Sequence, residues 1–129
     1  MEQLQDLVLG LQHIGIPTHR YEQTLSFYQS LGFTVIYSTM NGNDHVAFLK
    51  LKSIVMEVYE HESVAGHSGA IDHVALDVSD IEAVHALVKS LGYQVLEKGI
   101  QTLPFFANGV RYFTIEGPNA EKVEFSQYL

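Results

Sequence analysis

Two histidines and two glutamates recur at matching places in this chain, and imidazole nitrogen with carboxylate oxygen is a donor set for a divalent metal. His13 lies in Leu11-Gln12-His13-Ile14-Gly15-Ile16, and His73 lies sixty residues later in the similar run Ile71-Asp72-His73-Val74-Ala75-Leu76. Glu57 sits in Met56-Glu57-Val58 and Glu124 in Val123-Glu124-Phe125, sixty-seven residues apart. A carboxylate inside an apolar strand is costly unless something compensates it, and a cation does so. Each residue taken alone has a plainer reading, as a core histidine satisfied by backbone or a strand glutamate facing outward. Four ligand-type residues at equivalent places of two copies point to a nitrogen-and-oxygen site, assembled if the copies pack about a pseudo-twofold axis. Such a site suits zinc, nickel, manganese, cobalt or iron.

The elements that must position these residues are repeated too. The sixty-residue offset continues through Ser30-Leu31-Gly32-Phe33 and Ser90-Leu91-Gly92-Tyr93, and a fixed-period self-match marks a duplicated unit. In the first copy, a strand over 11–16 is expected to end at Pro17, which lacks a backbone donor. A helix follows with Tyr21, Leu25, Tyr28 and Leu31 on one face and Gly32 as its cap. Extended segments follow at 33–37, 45–49 and 54–59, the first two joined by a turn over Asn41-Gly42-Asn43-Asp44. The second copy has Ser79-Asp80-Ile81-Glu82 in capping-box spacing, then a stripe of Ile81, Val84, Val88 and Leu91 closed by Gly92. The predicted organisation is one domain over 1–129 built of two βαβββ repeats, about 11–60 and 71–127, with a polar connector at 61–70. From Asn41-Gly42 against Asn108-Gly109 the offset becomes sixty-seven, which confines the extra residues to about 99–107. That stretch holds Phe105 and Phe106, candidates to wall a binding site, or else a hydrophobic plug or dimer contact.

Composition narrows the partners. The chain of 129 residues is long enough to bury about two thirds of its unfolded surface. It has no cysteine, so disulfides and thiolate metal sites are excluded. A net charge of −8, with only seven lysines and arginines, argues against nucleic acid. No apolar run is long enough to span a membrane, and the first residues lack the features of a secretory signal, so a cytoplasmic location is expected. His19, His45, His61, His67 and His85 read as surface or solvated residues. Arg111 is a candidate contact for an anionic substrate, or else an edge-strand surface charge.

Over residues 11–127 the chain resembles the vicinal oxygen chelate superfamily, which includes glyoxalase I, extradiol dioxygenases, methylmalonyl-CoA epimerase and the fosfomycin and bleomycin resistance proteins. The resemblance is carried by His13-Ile14-Gly15-Ile16, by Phe27-Tyr28-Gln29-Ser30-Leu31-Gly32-Phe33, by Met56-Glu57-Val58-Tyr59, by Ile71-Asp72-His73-Val74-Ala75, and by the final hairpin from Ile115 to Glu124. That turn commonly reads Asp-Pro-Asp-Gly in the superfamily and is Gly117-Pro118-Asn119-Ala120 here. The resemblance implies an α+β fold in which tandem βαβββ modules form a curved, incomplete mixed-sheet barrel. It implies His13, Glu57, His73 and Glu124 as the ligands of a divalent metal, zinc or nickel first.

This ligand set is closest to metal-dependent glyoxalase I. Methylmalonyl-CoA epimerase typically has Gln at the place of Glu57, and the dioxygenases use one carboxylate and keep positions open for dioxygen. The implied activity is that of a lyase of the carbon–sulfur class, or an isomerase, moving a proton beside a carbonyl of an α-hydroxycarbonyl or hemithioacetal. Glu57 and Glu124 are the proton-shuttle candidates, with Glu124 first. The arginine that meets glutathione in glyoxalase I has no match after His13. The competing readings are an antibiotic-type binding protein without catalysis and an Fe(II) extradiol-type dioxygenase. A homodimer is expected in each, since each module offers an open sheet with an apolar face.

Overall fold

The computed structural model describes residues 2–118 and 120–129, so Asn119 of the final turn lies outside the described residues. The elements are α1 (Leu4–Leu7), β1 (Val8–Thr18), α2 (Tyr21–Ser30), β2 (Thr34–Asn41), β3 (Asp44–Leu51), β4 (Ile54–Glu60), β5 (His73–Val78), α3 (Ile81–Ser90), β6 (Gln101–Leu103), β7 (Val110–Glu116) and β8 (Lys122–Tyr128). They form an α+β fold divided into two compact units, and the boundary falls inside β1. One unit is His13–Asp72; the other joins the chain up to Gln12 with His73–Leu129.

In the first unit the strand order is β2-β3-β4-β1. β1 and β4 run parallel, with Gly15 opposite Glu57, and the other pairs are antiparallel. β1 runs through Pro17 rather than ending before it. Gly15 turns its carbonyl away from β4, where it accepts from the Asp72 amide at 2.8 Å. Pro17, two residues on, turns its nitrogen the same way, so the ladder with β4 loses no donor. The core of this unit is Tyr21, Phe33, Ala47, Leu49, Met56 and Val58, with Ile14 and Ile16 packed against it. α2 covers that face and ends in a tight turn: the amides of Gly32 and Phe33 reach back to Gln29 and Tyr28 at 3.0 and 3.1 Å. Gly32 has φ +108°, which a side chain would resist. Leu31, expected on the buried stripe, is the C-cap and stays exposed, because the helix stops before its side chain can turn inward.

The other unit repeats the arrangement, with strand order β1-β5-β8-β7-β6. β5 and β8 are parallel, with Ala75 opposite Glu124, so the register of Gly15 and Glu57 recurs. α3 is capped by Asp80, whose Oδ1 accepts from the Ala83 amide at 3.1 Å, and the Ile81 amide donates to Gln127 Oε1 at 2.8 Å. The expected Ser79–Glu82 capping box does not form. Ser79 instead donates its amide to the Leu7 carbonyl at 3.0 Å, tying down α1, which periodicity did not predict. Leu91, like Leu31, is exposed at the helix end. The counterpart of β2 is reduced to a bridge between Val95 and Ile115, followed by the short β6.

The core of this unit is Leu7, Val78, Ile81, Val84, Val88, Phe113 and Phe125. Phe113 is fully buried, stacked on Phe125 at 5.2 Å and met edge-on by His85 at 4.9 Å. Phe113→Ala is expected to destabilise the protein by about 3–5 kcal/mol in urea unfolding, the usual result of leaving a phenyl-sized cavity in a core.

Candidate metal centre

Strand alternation sorts the candidate residues onto faces. In the first unit, Ile14, Ile16, Met56 and Val58 point into the core beneath α2. His13 and Glu57 therefore share the opposite face. They lie diagonally across the β1–β4 pair, with His13 Nε2 and Glu57 Oε1 3.3 Å apart. Their side chains are only 5% and 13% exposed. Phe48 stands opposite Glu57 on β3 and meets the His13 ring edge-on at 5.5 Å, with Tyr37 beside it at 6.3 Å.

The second unit builds the same pair from the equivalent strands. Val78 and Phe125 face the core under α3, and His73 and Glu124 take the other face. His73 Nε2 lies 3.7 Å from Glu124 Oε1, with side chains 9% and 14% exposed. The structure thus brings His13 to Glu57 and His73 to Glu124.

Metal–ligand bonds of about 2.0–2.2 Å place neighbouring ligand atoms roughly 3.0–3.5 Å apart, between octahedral and tetrahedral angles. The spacings of 3.3 and 3.7 Å lie in or close to that range. The donors, imidazole nitrogen and carboxylate oxygen, are those that zinc and its divalent neighbours accept. Two nearly buried carboxylates on strands would also carry a desolvation cost that a cation offsets. The residues present fit a divalent metal.

The remaining candidates fall in different places. Arg111 is on the face of β7 that looks toward α3, where its guanidinium donates to Glu82 Oε1 at 3.2 Å. It therefore serves as a strand-to-helix ion pair, on the face opposite Glu124. Phe105 is buried. Phe106 has φ +61° and packs edge-on against Tyr128 at 5.1 Å, and Tyr128 lies on the face of β8 that carries Glu124. In the first unit a cavity of about 450 Å³ lies at the end of β1, lined by Ile16, Thr18, His19, Arg20, Thr24 and Val64. It is not lined by His13 or Glu57.

Two side-chain pairings have no signal in the sequence. Glu97 occupies the gap left by the missing strand: its carboxylate accepts from the Thr114 amide and hydroxyl, both at 2.7 Å. His45, at the start of β3, donates its amide to Glu60 Oε1 at 2.6 Å, with its Nδ1 2.7 Å from the same oxygen. The backbone bond, then the ring, hold the Glu60 carboxyl below its usual range. A lowered carboxyl pKa favours the folded state above the unfolded value and loses that contribution as pH falls through the folded one. His45→Ala keeps the backbone bond, the larger cause. It is therefore expected to raise the Glu60 pKa only part of the way back, as read by carboxyl NMR titration; a full return would overturn the assignment.

A model of the glyoxalase/bleomycin resistance protein/dioxygenase superfamily matches residues 12–113. The chain belongs to this superfamily. The superfamily, also called the vicinal oxygen chelate superfamily, includes epimerases, glyoxalases and dioxygenases, and its members bind divalent metals. The YwbC protein of Bacillus subtilis, described as uncharacterized, is 32% identical over 126 residues, covering 91% of this chain and 96% of its own. Among solved structures, methylmalonyl-CoA epimerase from Mycobacterium tuberculosis is similar with a TM-score of 0.79 at 22% identity, over 95% of this chain and 90% of that one. The Mn(II)-bound glyoxalase from Novosphingobium aromaticivorans matches with a TM-score of 0.66 at 18% identity, over 94% of this chain and 39% of the other. At these identities the likeness is one of fold. Among the described residues no helix is long and apolar enough to cross a membrane.

Proposed function

We propose that His13, Glu57, His73 and Glu124 together hold one divalent metal ion, with zinc or nickel preferred and manganese, cobalt or iron able to substitute. We further propose that the protein is a glyoxalase I-like lyase or isomerase, acting on a small α-hydroxycarbonyl or hemithioacetal, and that it works as a homodimer. The observation that carries the reading is the recurrence of one nearly buried His–Glu pair, in one strand register, in both units. A binding module that captures its ligand by shape and apolar contact has no need of two such pairs. Two carboxylates, rather than one, favour proton transfer over dioxygen chemistry.

The metal, when bound, supplies Lewis acidity that makes a C–H beside a carbonyl more acidic. Glu124 takes that proton and returns it to the neighbouring carbon. Glu57 serves as the second carboxylate, and both histidines offer the ion their Nε2 atoms. Phe106 and Tyr128 wall the substrate on the Glu124 side. Arg111, held by Glu82, takes no part in binding it.

The test is reconstitution of metal-stripped protein with Ni, Zn, Mn, Co and Fe in turn. Near-stoichiometric binding is expected, together with metal-dependent exchange of the substrate's C–H hydrogen with solvent deuterium. Wild-type protein that binds none of the five would overturn the reading.

A further inference from the structure

The face of the second unit that carries His73 and Glu124 continues, one strand repeat further on, into polar groups that metal binding does not require. Along β5 the residues on this face are His73, Ala75 and Asp77; along β8 they are Lys122, Glu124, Ser126 and Tyr128. Asp77 stands opposite Ser126. Gln12, only 6% exposed, donates its amide to Asp77 Oδ1 at 2.9 Å and to the Ser126 carbonyl at 3.1 Å. No hydrogen bond from a described residue reaches the other carboxylate oxygen, Oδ2. The Tyr128 hydroxyl titrates above its ordinary range, first because of burial and then because of the Asp77 charge, so the phenol keeps its proton as a donor. Lys122 shares the face but sits at its other end, opposite His73.

A solvated strand aspartate needs no buried amide to hold it; one fixed by Gln12 with an oxygen left open is oriented toward something else. The duplication supplies an internal control. At the same offsets the first unit has Pro17 in place of Asp77 and His61 in place of Tyr128, so the fold itself does not demand this pair.

We infer that Asp77 and Tyr128 form a subsite for a hydroxyl group at the far end of the substrate. Asp77 lies two residues along β5 from Ala75, the residue opposite Glu124, a separation of roughly 6.6 Å. That spans about five bonds of an extended carbon chain. The substrate class that fits is a neutral polyhydroxy ketone of keto-sugar size, with its α-hydroxycarbonyl end at Glu124 and a distal hydroxyl donating to Asp77. A phosphate or carboxylate at the distal end meets the Asp77 charge and is disfavoured. This inference rests on the metal-dependent reading above and narrows it.

The experiment uses Mn(II)-reconstituted protein and reads ligand binding by water-proton relaxation. The probes are dihydroxyacetone, which is too short to reach Asp77, xylulose, and xylulose 5-phosphate. Wild type is expected to bind xylulose about tenfold or more tighter than dihydroxyacetone, the usual worth of a charge-assisted hydrogen bond, and to bind the phosphate ester more weakly than xylulose. Asp77→Ala is expected to lose the preference for xylulose while keeping its manganese and its dihydroxyacetone affinity. Asp77→Asn preserves an acceptor for the Gln12 amide and so protects the fold; it is expected to remove the penalty against the phosphate ester. Equal binding of xylulose and dihydroxyacetone by wild type, or an undiminished preference in Asp77→Ala, overturns this inference alone. Metal-loaded wild type that binds none of the three ketones overturns the substrate class of the proposed function and the subsite with it.

Discussion

Replacing His13 and Glu124 together by alanine is expected to abolish stoichiometric metal binding, weakening affinity by more than about a thousandfold. Loss of a group that merely orients a ligand typically costs 10- to 100-fold in affinity, and two direct ligands cost more than two such losses. The double variant takes one member from each pair, so neither His73 nor Glu57 retains its own partner. Elemental analysis after reconstitution checks the loss, and circular dichroism checks that the sheet is intact. The fold is expected to survive, because the cores under α2 and α3 contain none of the four residues. A second readout follows from linkage: zinc or nickel should raise the melting temperature of wild type and leave that of the double variant unchanged. A variant that kept one metal per chain would place the ion elsewhere.

The duplication was the most legible feature of the sequence, because backbone register depends on few residues. The match of His13-Ile14-Gly15 with His73-Val74-Ala75, and of Met56-Glu57 with Val123-Glu124, reappears as Gly15 opposite Glu57 and Ala75 opposite Glu124. Both His–Glu contacts follow from that register. Less legible was whatever depends on where a segment stops. Leu31 and Leu91 fit their helical stripes, but each follows the last full turn and stays in water. Ser79 matched a capping box, yet the neighbouring Asp80 caps more directly and frees Ser79 for Leu7. Tertiary context decided both cases. The boundary within β1 had no sequence signal, since Val8–Gln12 serves one unit and His13–Thr18 the other within a single strand. Asp77 is not legible in the sequence because its partner, Gln12, is distant along the chain and belongs to no recognisable motif. Arg111 has the charge for an anionic substrate, but strand parity turns it toward Glu82 and α3.

Glu124→Gln is expected to lower turnover about 100- to 10,000-fold, the usual worth of a positioned general base, while metal stays bound through the amide oxygen. Glu57→Gln is expected to cost less. The two glutamates are equivalent in register, so the difference must come from what stands around each. Glu57 faces Phe48, with Tyr37 beyond it, an aromatic surface that offers a substrate little to hydrogen-bond. Glu124 faces Thr114 across β7 and shares its strand face with Ser126 and Tyr128, next to Asp77. A hydroxylated substrate held by that polar side presents its reacting carbon to Glu124 rather than to Glu57. Metal content must be measured beside turnover in both variants, so that a lost base is not confused with a lost ion. If Glu124→Gln retained full activity with metal bound, the proton would belong to another group, and Glu57 would be the first to replace next. If both variants fell equally with metal intact, the two carboxylates would act as a pair on opposite faces of the reacting carbon. That outcome would favour epimerisation over transfer between adjacent carbons.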